Sequence, residues 1–549
     1  MPQVRRRPSS LSAHAVGWDR GPPTFGLVMT VDRDQIKEDV YMPCTTLLIG
    51  KHASYDGSTI IARNEDSANG EFRPKRFVLV TPDQQPRHYR SVISHLEIDL
   101  PKDPMRYTSV PNAVLDQGLW AEAGVNSDNV AMSATETITT NERVLGADPL
   151  VELTPAQGRP GDEGYLAEVP GGIGEEDLVT IVLPYIHSAR EGVQRLGFLL
   201  ERYGTYEMNG IAFSDVDEIW WMETVGGHHW IAKQVPDDSY VTMPNQLGID
   251  EFDLDDAFGD QTDHLCSADL REFIADNHLN LAVETASPFN PRDAFGSHSD
   301  SDHVYNTPRA WYMQRFLNPY DEIWDGPDAD HAPTSDNIPW CRQPERLITV
   351  EDVKYLLSSH YQGTPYDPYG RTGDEHTKGL YRPIGINRND QLALIQLRPY
   401  RPESCRAIQW MSYGSNAFNA LVPFYANVER TPDYLANATD RVSTDSLYWS
   451  DRLIAALCDS AFAGTSAAVE RYQQNVGGEG HRLIAAADEQ VARLEGADKG
   501  TDNPEVRQVL EAANQDMADR LRKETDDLLG QVLYTVSMGM RNGYHLSDN

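Results

Sequence analysis

Cys44-Thr-Thr-Leu-Leu-Ile-Gly50 and Ser58-Thr-Ile-Ile-Ala-Arg-Asn64 stand on either side of a short loop that contains Asp56-Gly57. Both runs are rich in β-formers, and two such runs around a Gly-containing loop predict an antiparallel hairpin. The hairpin returns Arg63-Asn64-Glu65-Asp66 to Cys44, at the head of its first strand. A free thiol has a pKa of about 8.5 and needs a base or a nearby positive charge to become a good nucleophile. If Cys44 opened a mature chain, its own α-amine, with a pKa of about 7.7–8.0, would supply that base. Arg63 would then favour the thiolate, and Asp66 would orient the amine. On these residues alone, a buried structural cysteine remains the alternative.

Outward from the hairpin, Phe77-Val-Leu-Val80 and Asn129-Val-Ala-Met-Ser-Ala134 predict further strands. Helical periodicity runs from Glu176 to Tyr203 through Leu178, Ile181, Val182, Tyr185, Val193, Leu196, Leu199 and Leu200. The stretches 210–214, 218–223, 229–232 and 240–243 predict a meander of short antiparallel strands. Two late strands are expected at 392–397 and 407–411, after long loops rich in Pro, Gly and Asp at 325–342 and 362–375. From about Ser446 the pattern is helical, as a packing or oligomer-contact layer would be.

Several chemistries are excluded by what is missing. There is no G-x-x-x-x-G-K-[ST], no H-E-x-x-H and no G-x-S-x-G. Gly171-Gly172-Ile-Gly174 lacks the context of a dinucleotide loop. His228 and His229 are adjacent in a strand-like run, so they are expected to face opposite ways as structural residues. The acidic stretch 250–263 lacks calcium-loop spacing and reads as solvated surface. Five scattered cysteines, Cys44, Cys266, Cys341, Cys405 and Cys458, form no C-x-x-C pair, which fits a reducing compartment. All but Cys44 are expected to be buried hydrophobes.

The chain has 84 acidic residues against 47 basic ones, a formal net charge of -37. Such a surface repels phosphate backbones and argues against nucleic acid as a partner. It suits strong salt, where counterions screen self-repulsion, so a halophilic source is expected, with an ordinary acidic cytosolic enzyme as the alternative. No window approaches the roughly 20 apolar residues needed to span a bilayer. The stretch 1–30 has Arg5-Arg6-Arg7 but no apolar core, so it does not read as a signal peptide, and a cytoplasmic protein is expected.

Cys44 to Asp66 resembles the N-terminal block of the dipeptidase-A and secernin family, which belongs to the N-terminal nucleophile (Ntn) hydrolases. Glu122-Ala-Gly-Val-Asn126, Ala131-Met-Ser-Ala-Thr-Glu-Thr-Ile138, Met208-Asn-Gly-Ile-Ala212 and Trp220-Trp-Met-Glu223 are similar as well, and the likeness runs to about Met411. The resemblance implies an α+β fold, an αββα sandwich of two antiparallel sheets between helical layers. It implies removal of a leader, residues 1–43, from a catalytic domain at 44–445 with a helical region at 446–549 packed on it. It also implies a cysteine-type dipeptidase with small peptide substrates and neither metal nor cofactor, and it leaves a homo-oligomer open. The catalytic residues carried over are Cys44, Arg63, Asp66, Asn245 for the oxyanion, and Arg309 as a late arginine that would pair with the substrate carboxylate. Thr135 or Glu136 would line another wall. Pro43 before the cysteine departs from the pattern. An amidohydrolase for penicillin-like or bile-salt substrates, or a non-catalytic scaffold, would use the same fold.

Overall fold

The computed structural model describes residues 44–283, 288–494 and 503–540, apart from the side chains of Thr135 and Glu136. The expected leader, residues 1–43, lies outside them. The strands that matter here are β1 (Thr45–Ile49), β2 (Thr59–Asp66), β3 (Ala123–Val125), β4 (Ala131–Thr137), β5 (Asn209–Ser214), β6 (Ile219–Thr224), β7 (Trp230–Gln234), β8 (Tyr240–Met243), β9 (His264–Cys266), β10 (Cys341–Arg342), β11 (Asn389–Leu397), β12 (Ala407–Tyr413) and β13 (Val422–Tyr425). One antiparallel sheet runs β10-β8-β1-β2-β11-β12-β13, and the other runs β9-β7-β6-β5-β4-β3. The principal helices are α1 (Ala189–Tyr203), α2 (Thr307–Leu317), α3 (Val350–Leu357), α4 (Leu447–Ser460), α5 (Phe462–Leu494) and α6 (Pro504–Met538).

Strand alternation explains the layers. Leu48 and Ile61 face inward and share a core with Ala212, Trp221 and Ile231 of the second sheet. Their neighbours Leu47, Ile49, Ile60 and Ala62 point the other way, onto Met313 of α2 and Val353, Leu356 and Leu357 of α3. On the second sheet, Ile211, Phe213, Trp220 and Met222 pack outward against Val193 and Leu196 of α1. Burial on both faces is why β1 reads as a continuous apolar run, and each such side chain contributes about 1.5–3 kcal/mol.

The expected hairpin forms as β1 and β2, pairing Thr46 with Arg63 and Leu48 with Ile61. The late pair forms as β11 and β12. Two expectations are corrected. The helix read from Glu176 to Tyr203 is broken: a turn of helix at Leu178–Val182 gives way to a 3-10 turn at Leu183–Tyr185, and α1 begins afresh at Ala189. Pro184 interrupts the hydrogen-bond ladder, and Ser188 caps the new helix by accepting from Glu191 N at 3.1 Å. The meander also loses its fourth strand. β5, β6 and β7 form it, but β8 crosses to the other sheet beside β1. The turn before β8 docks on the end of β1, with Gly50 N donating to Ser239 O at 2.9 Å and His52 N to Asp237 O at 2.7 Å. Gly50 makes this docking feasible, because a Cβ there would collide with the carbonyls of Pro236 and Asp237.

Of the remaining cysteines, Cys405 and Cys458 are buried as expected, but Cys266 and Cys341 are only partly buried. Both lie in the short outermost strands β9 and β10, where one flank has no neighbour. His228 and His229 are structural, yet they do not face apart. They sit in a bend before β7, and their Nδ1 atoms both bond Asp148, at 3.0 and 2.7 Å. The acids at 250–263 are only partly a solvated surface: Asp253 caps a short helix, and Asp256 takes the backbone N–H groups of Thr262, Asp263 and His264. Among the described residues, no helix is long and apolar enough to cross a membrane.

Candidate active site

Cys44 stands just before β1 and is fully buried. Arg63 is on the inward face of β2, the face it shares with Ile61, so its guanidinium lies between the sheets. Its Nη2 donates to Cys44 Sγ at 2.7 Å and to Glu175 Oε1 at 2.7 Å. Its Nη1 donates to Glu122 and to the carbonyl of Ala134 on β4. Arg63 therefore ties the cysteine to the second sheet.

The surroundings of Arg63 are acidic. Glu122 also lies 3.7 Å from Lys75 Nζ, and Lys75 in turn pairs with Glu65, the next inward residue on β2. All of these side chains are buried. Burial pushes the Glu122 carboxyl up to about 7, although Arg63 and Lys75 pull it down. Burial and then the charge of Glu122 push Glu65 to about 7 as well. With two carboxylates beside it, Arg63 offers the sulfur a directed N–H more than a net positive charge. Glu122 has a φ of 61°, a left-handed conformation that costs a non-glycine residue about 1–3 kcal/mol and is commonest at functional sites.

Asn245 and Arg309 meet Cys44 from the other side. In the β1–β8 register Thr46 is opposite Met243, the last residue of β8, and Asn245 follows in the bend two residues on. Arg309, in the first turn of α2, completes the link. Its Nη1 donates to the Cys44 carbonyl and to Thr45 Oγ1 at 2.7 Å, and its Nη2 donates to Asn245 Oδ1 at 2.7 Å and Asn306 Oδ1 at 2.8 Å. Its Nε donates to Tyr305 O at 2.6 Å. Arg309 is fully buried and its donors are committed to the protein. Where a carboxylate anchor was expected, its guanidinium binds the carbonyl of Cys44 and the amide of Asn245. By accepting at Oδ1, Arg309's partner Asn245 is oriented with Nδ2 free to donate twice, once to Thr137 O at 3.0 Å. One N–H is left for another acceptor.

Asp66 shares the outward face of β2 with Asn64. Its oxygens accept from Arg382 and from Asn389 Nδ2. Asn64 beside it donates to Leu357 O at 2.6 Å and accepts from Asn416 Nδ2 at 2.8 Å. Of the five expected residues, Cys44, Arg63, Asn245 and Arg309 are joined by direct hydrogen bonds, while Asp66 is anchored to the 382–389 loop. Lys75, Glu175, Arg382 and Asn389 were not anticipated, and Asn306 was visible only as the start of Asn306-Thr-Pro-Arg309. Glu122 was visible as part of a motif but had no assigned role. Beyond those motifs, the sequence signal was Lys75 itself, a lysine in a chain with few of them. The Thr135 and Glu136 side chains lie outside the described residues. Among the described residues, no group of three or more His, Cys, Asp or Glu side chains is arranged to hold a metal ion.

The family model described as peptidase family C69 matches residues 43–475, beginning one residue before Cys44. A dipeptidase of Bifidobacterium longum (strain NCC 2705) is 68% identical over 538 residues, covering 92% of this chain and 100% of the relative. A probable dipeptidase A of Streptococcus pyogenes serotype M3 (strain SSI-1) is 53% identical over 507 residues, with 92% and 100% covered. Dipeptidase A of Lactobacillus helveticus is 43% identical over 493 residues, with 89% and 96% covered. Matches of this extent, the family match opening on the block that carries Cys44 and Arg63, make the chain a member of peptidase family C69.

Proposed function

We propose that this chain is a cysteine-type dipeptidase of the Ntn class, active once residues 1–43 have been removed to leave Cys44 as the first residue. The catalytic unit is 44–445, the helical region 446–549 packs on it, and the stacked sheets with outer helices are read as an αββα Ntn sandwich. One observation carries the reading: Arg63 reaches the sulfur of Cys44 at 2.7 Å while Arg309 grips its carbonyl and Asn245 together. A merely structural cysteine has no need of two buried arginines. The names of the relatives support dipeptides as the substrate class.

In this mechanism the α-amine of Cys44 takes the thiol proton, and the thiolate attacks the peptide carbonyl. The remaining N–H of Asn245 Nδ2 donates to the oxyanion, a contribution of about 2.7–4 kcal/mol for one donor. The amine then protonates the departing amino group, and water cleaves the thioester. Asp66, braced by Arg382 and Asn389, orients the new terminus. The residues do this without a metal or cofactor in any step.

The test is intact-mass analysis of fully active protein together with hydrolysis of free dipeptides, penicillin V and conjugated bile acids. A chain that starts at Cys44 and cleaves dipeptides is expected. Retention of Pro43 in active enzyme would overturn the amine-as-base mechanism. Cleavage of the acyl amides alone would make the protein an amidohydrolase, and no hydrolysis at all would make it a scaffold.

A further inference from the structure

A cavity of about 650 Å³ opens between α3, β12 and the first half of α5, on the side of the sheet away from the second sheet. Its volume falls within the range of about 300–1,000 Å³ typical of small-molecule sites. Val350, Trp410, Phe418, Leu421, Phe462 and Val469 give it an apolar wall. Its charged lining is Lys354 and Glu351 of α3 with Glu470 and His481 of α5; His481 Nε2 pairs with Glu351 Oε1 at 2.6 Å, whereas Lys354 Nζ donates to Asn416 O at 2.6 Å. Asn416 is itself fixed by the bond from its Nδ2 to Asn64 Oδ1, so the ammonium is held in place.

Among the described residues, Lys354 forms no ion pair. Burial lowers its pKa to about 7, and Asp451 opposes that only from a distance. Burial also holds the Asp451 carboxyl well above the usual carboxylate range, and among the described residues it forms no ion pair with Lys354. The opposite wall has been left open. Gly477 and Gly478 lie inside α5, where glycine weakens a helix, and a Cβ at either would meet no atom within 4 Å. The space they leave belongs to the cavity they line.

We propose that this cavity is a second binding site, separate from Cys44, for a small apolar carboxylate whose head pairs with Lys354 and whose tail lies along Trp410 and Phe418. A fatty acyl chain and an apolar amino acid both carry that chemistry. Calorimetric titration of the full-length protein with sodium octanoate and, separately, with L-leucine distinguishes them. Saturable binding of at least one ligand is expected. Lys354→Met, which keeps the bulk and removes the charge, should weaken that binding about tenfold or more. Gly478→Leu, which fills the open space, should weaken it similarly without lowering the melting temperature. Binding of neither ligand, or binding indifferent to both substitutions, would overturn the proposal. So would a dimer that Gly478→Leu turns into a monomer in the absence of ligand binding, which would assign the groove to a second copy of the chain.

Discussion

Arg63 and Arg309 are both buried, yet their replacement should fail in different ways. Arg63 donates to Cys44, Glu122, Glu175 and Ala134, a fork that a lysine does not reproduce. Arg309→Ala should lower kcat about a hundredfold or more, because it frees the Asn245 amide and the Cys44 carbonyl, and one lost oxyanion donor already costs that much. It should leave the preference for dipeptides over dipeptide amides intact, since the guanidinium is committed to protein acceptors. Loss of that preference in steady-state kinetics would restore the carboxylate-anchor role. Cys44→Ala should abolish hydrolysis with little change in melting temperature, whereas alanine at Cys266, Cys341, Cys405 or Cys458 should leave turnover intact. Near-normal rates in the Cys44 variant would move the active site elsewhere.

At the scale of elements, the site depends on where β8 lands. The strand follows the turn that Gly50 admits, and its register with β1 leaves Asn245 just past its end, where Arg309 links it to Cys44. Gly50→Ala places a methyl against two backbone carbonyls, which cannot rotate away as a side chain would. Overpacking of this kind should cost about 1–3 kcal/mol of stability, read as a lower denaturation midpoint. Turnover should fall with it as the β8 end is displaced. A Gly50→Ala protein as stable and active as the parent would show that the turn has another way to dock. The hairpin and the late strand pair could be read from sequence because their partners are close neighbours in the chain or carry strong β patterns. The crossing of β8 could not, since nothing local distinguishes it from a fourth meander strand.

Across the whole molecule, charge dominates. With 84 acidic residues against 47 basic ones, melting temperature and activity should both rise as potassium chloride is raised from about 0.1 M, where the Debye length is about 10 Å, toward molar levels. Stability that is flat across that range would remove the halophilic reading. The pH dependence has a definite sign. Glu65, Glu122, Glu223 and Asp390 are all pushed up to about 7 in the folded protein, chiefly by burial. The folded state therefore binds more protons than the unfolded chain between about pH 4 and 7. Their stabilising contribution is complete below that window and is lost as the pH rises through it. The melting temperature should thus be higher near pH 5.5 than near pH 8 at constant ionic strength, and the reverse order in scanning calorimetry would refute this account.

A Gly-containing loop between two β-rich runs suffices for the hairpin, so the closeness of Cys44 and Arg63 follows from local chemistry alone. The apolar continuity of β1 likewise announces a strand buried on both faces. The break in the 176–203 helix was also written locally, in Pro184 and Ser188, but was hidden by the apolar periodicity that runs across them. What chain folding in three dimensions decided is of another kind. Arg309 was visible as an arginine, but only its burial against the Cys44 carbonyl and Asn245 shows that its donors are already used. Glu122, Glu175 and Lys75 lie in separate segments of the chain, and their pairing with Arg63 and Glu65 arises where one sheet packs on the other. Local sequence reports the conformation that each stretch prefers. The partners of a buried charge are chosen by packing, because only there does low dielectric make an unpaired charge too costly to keep.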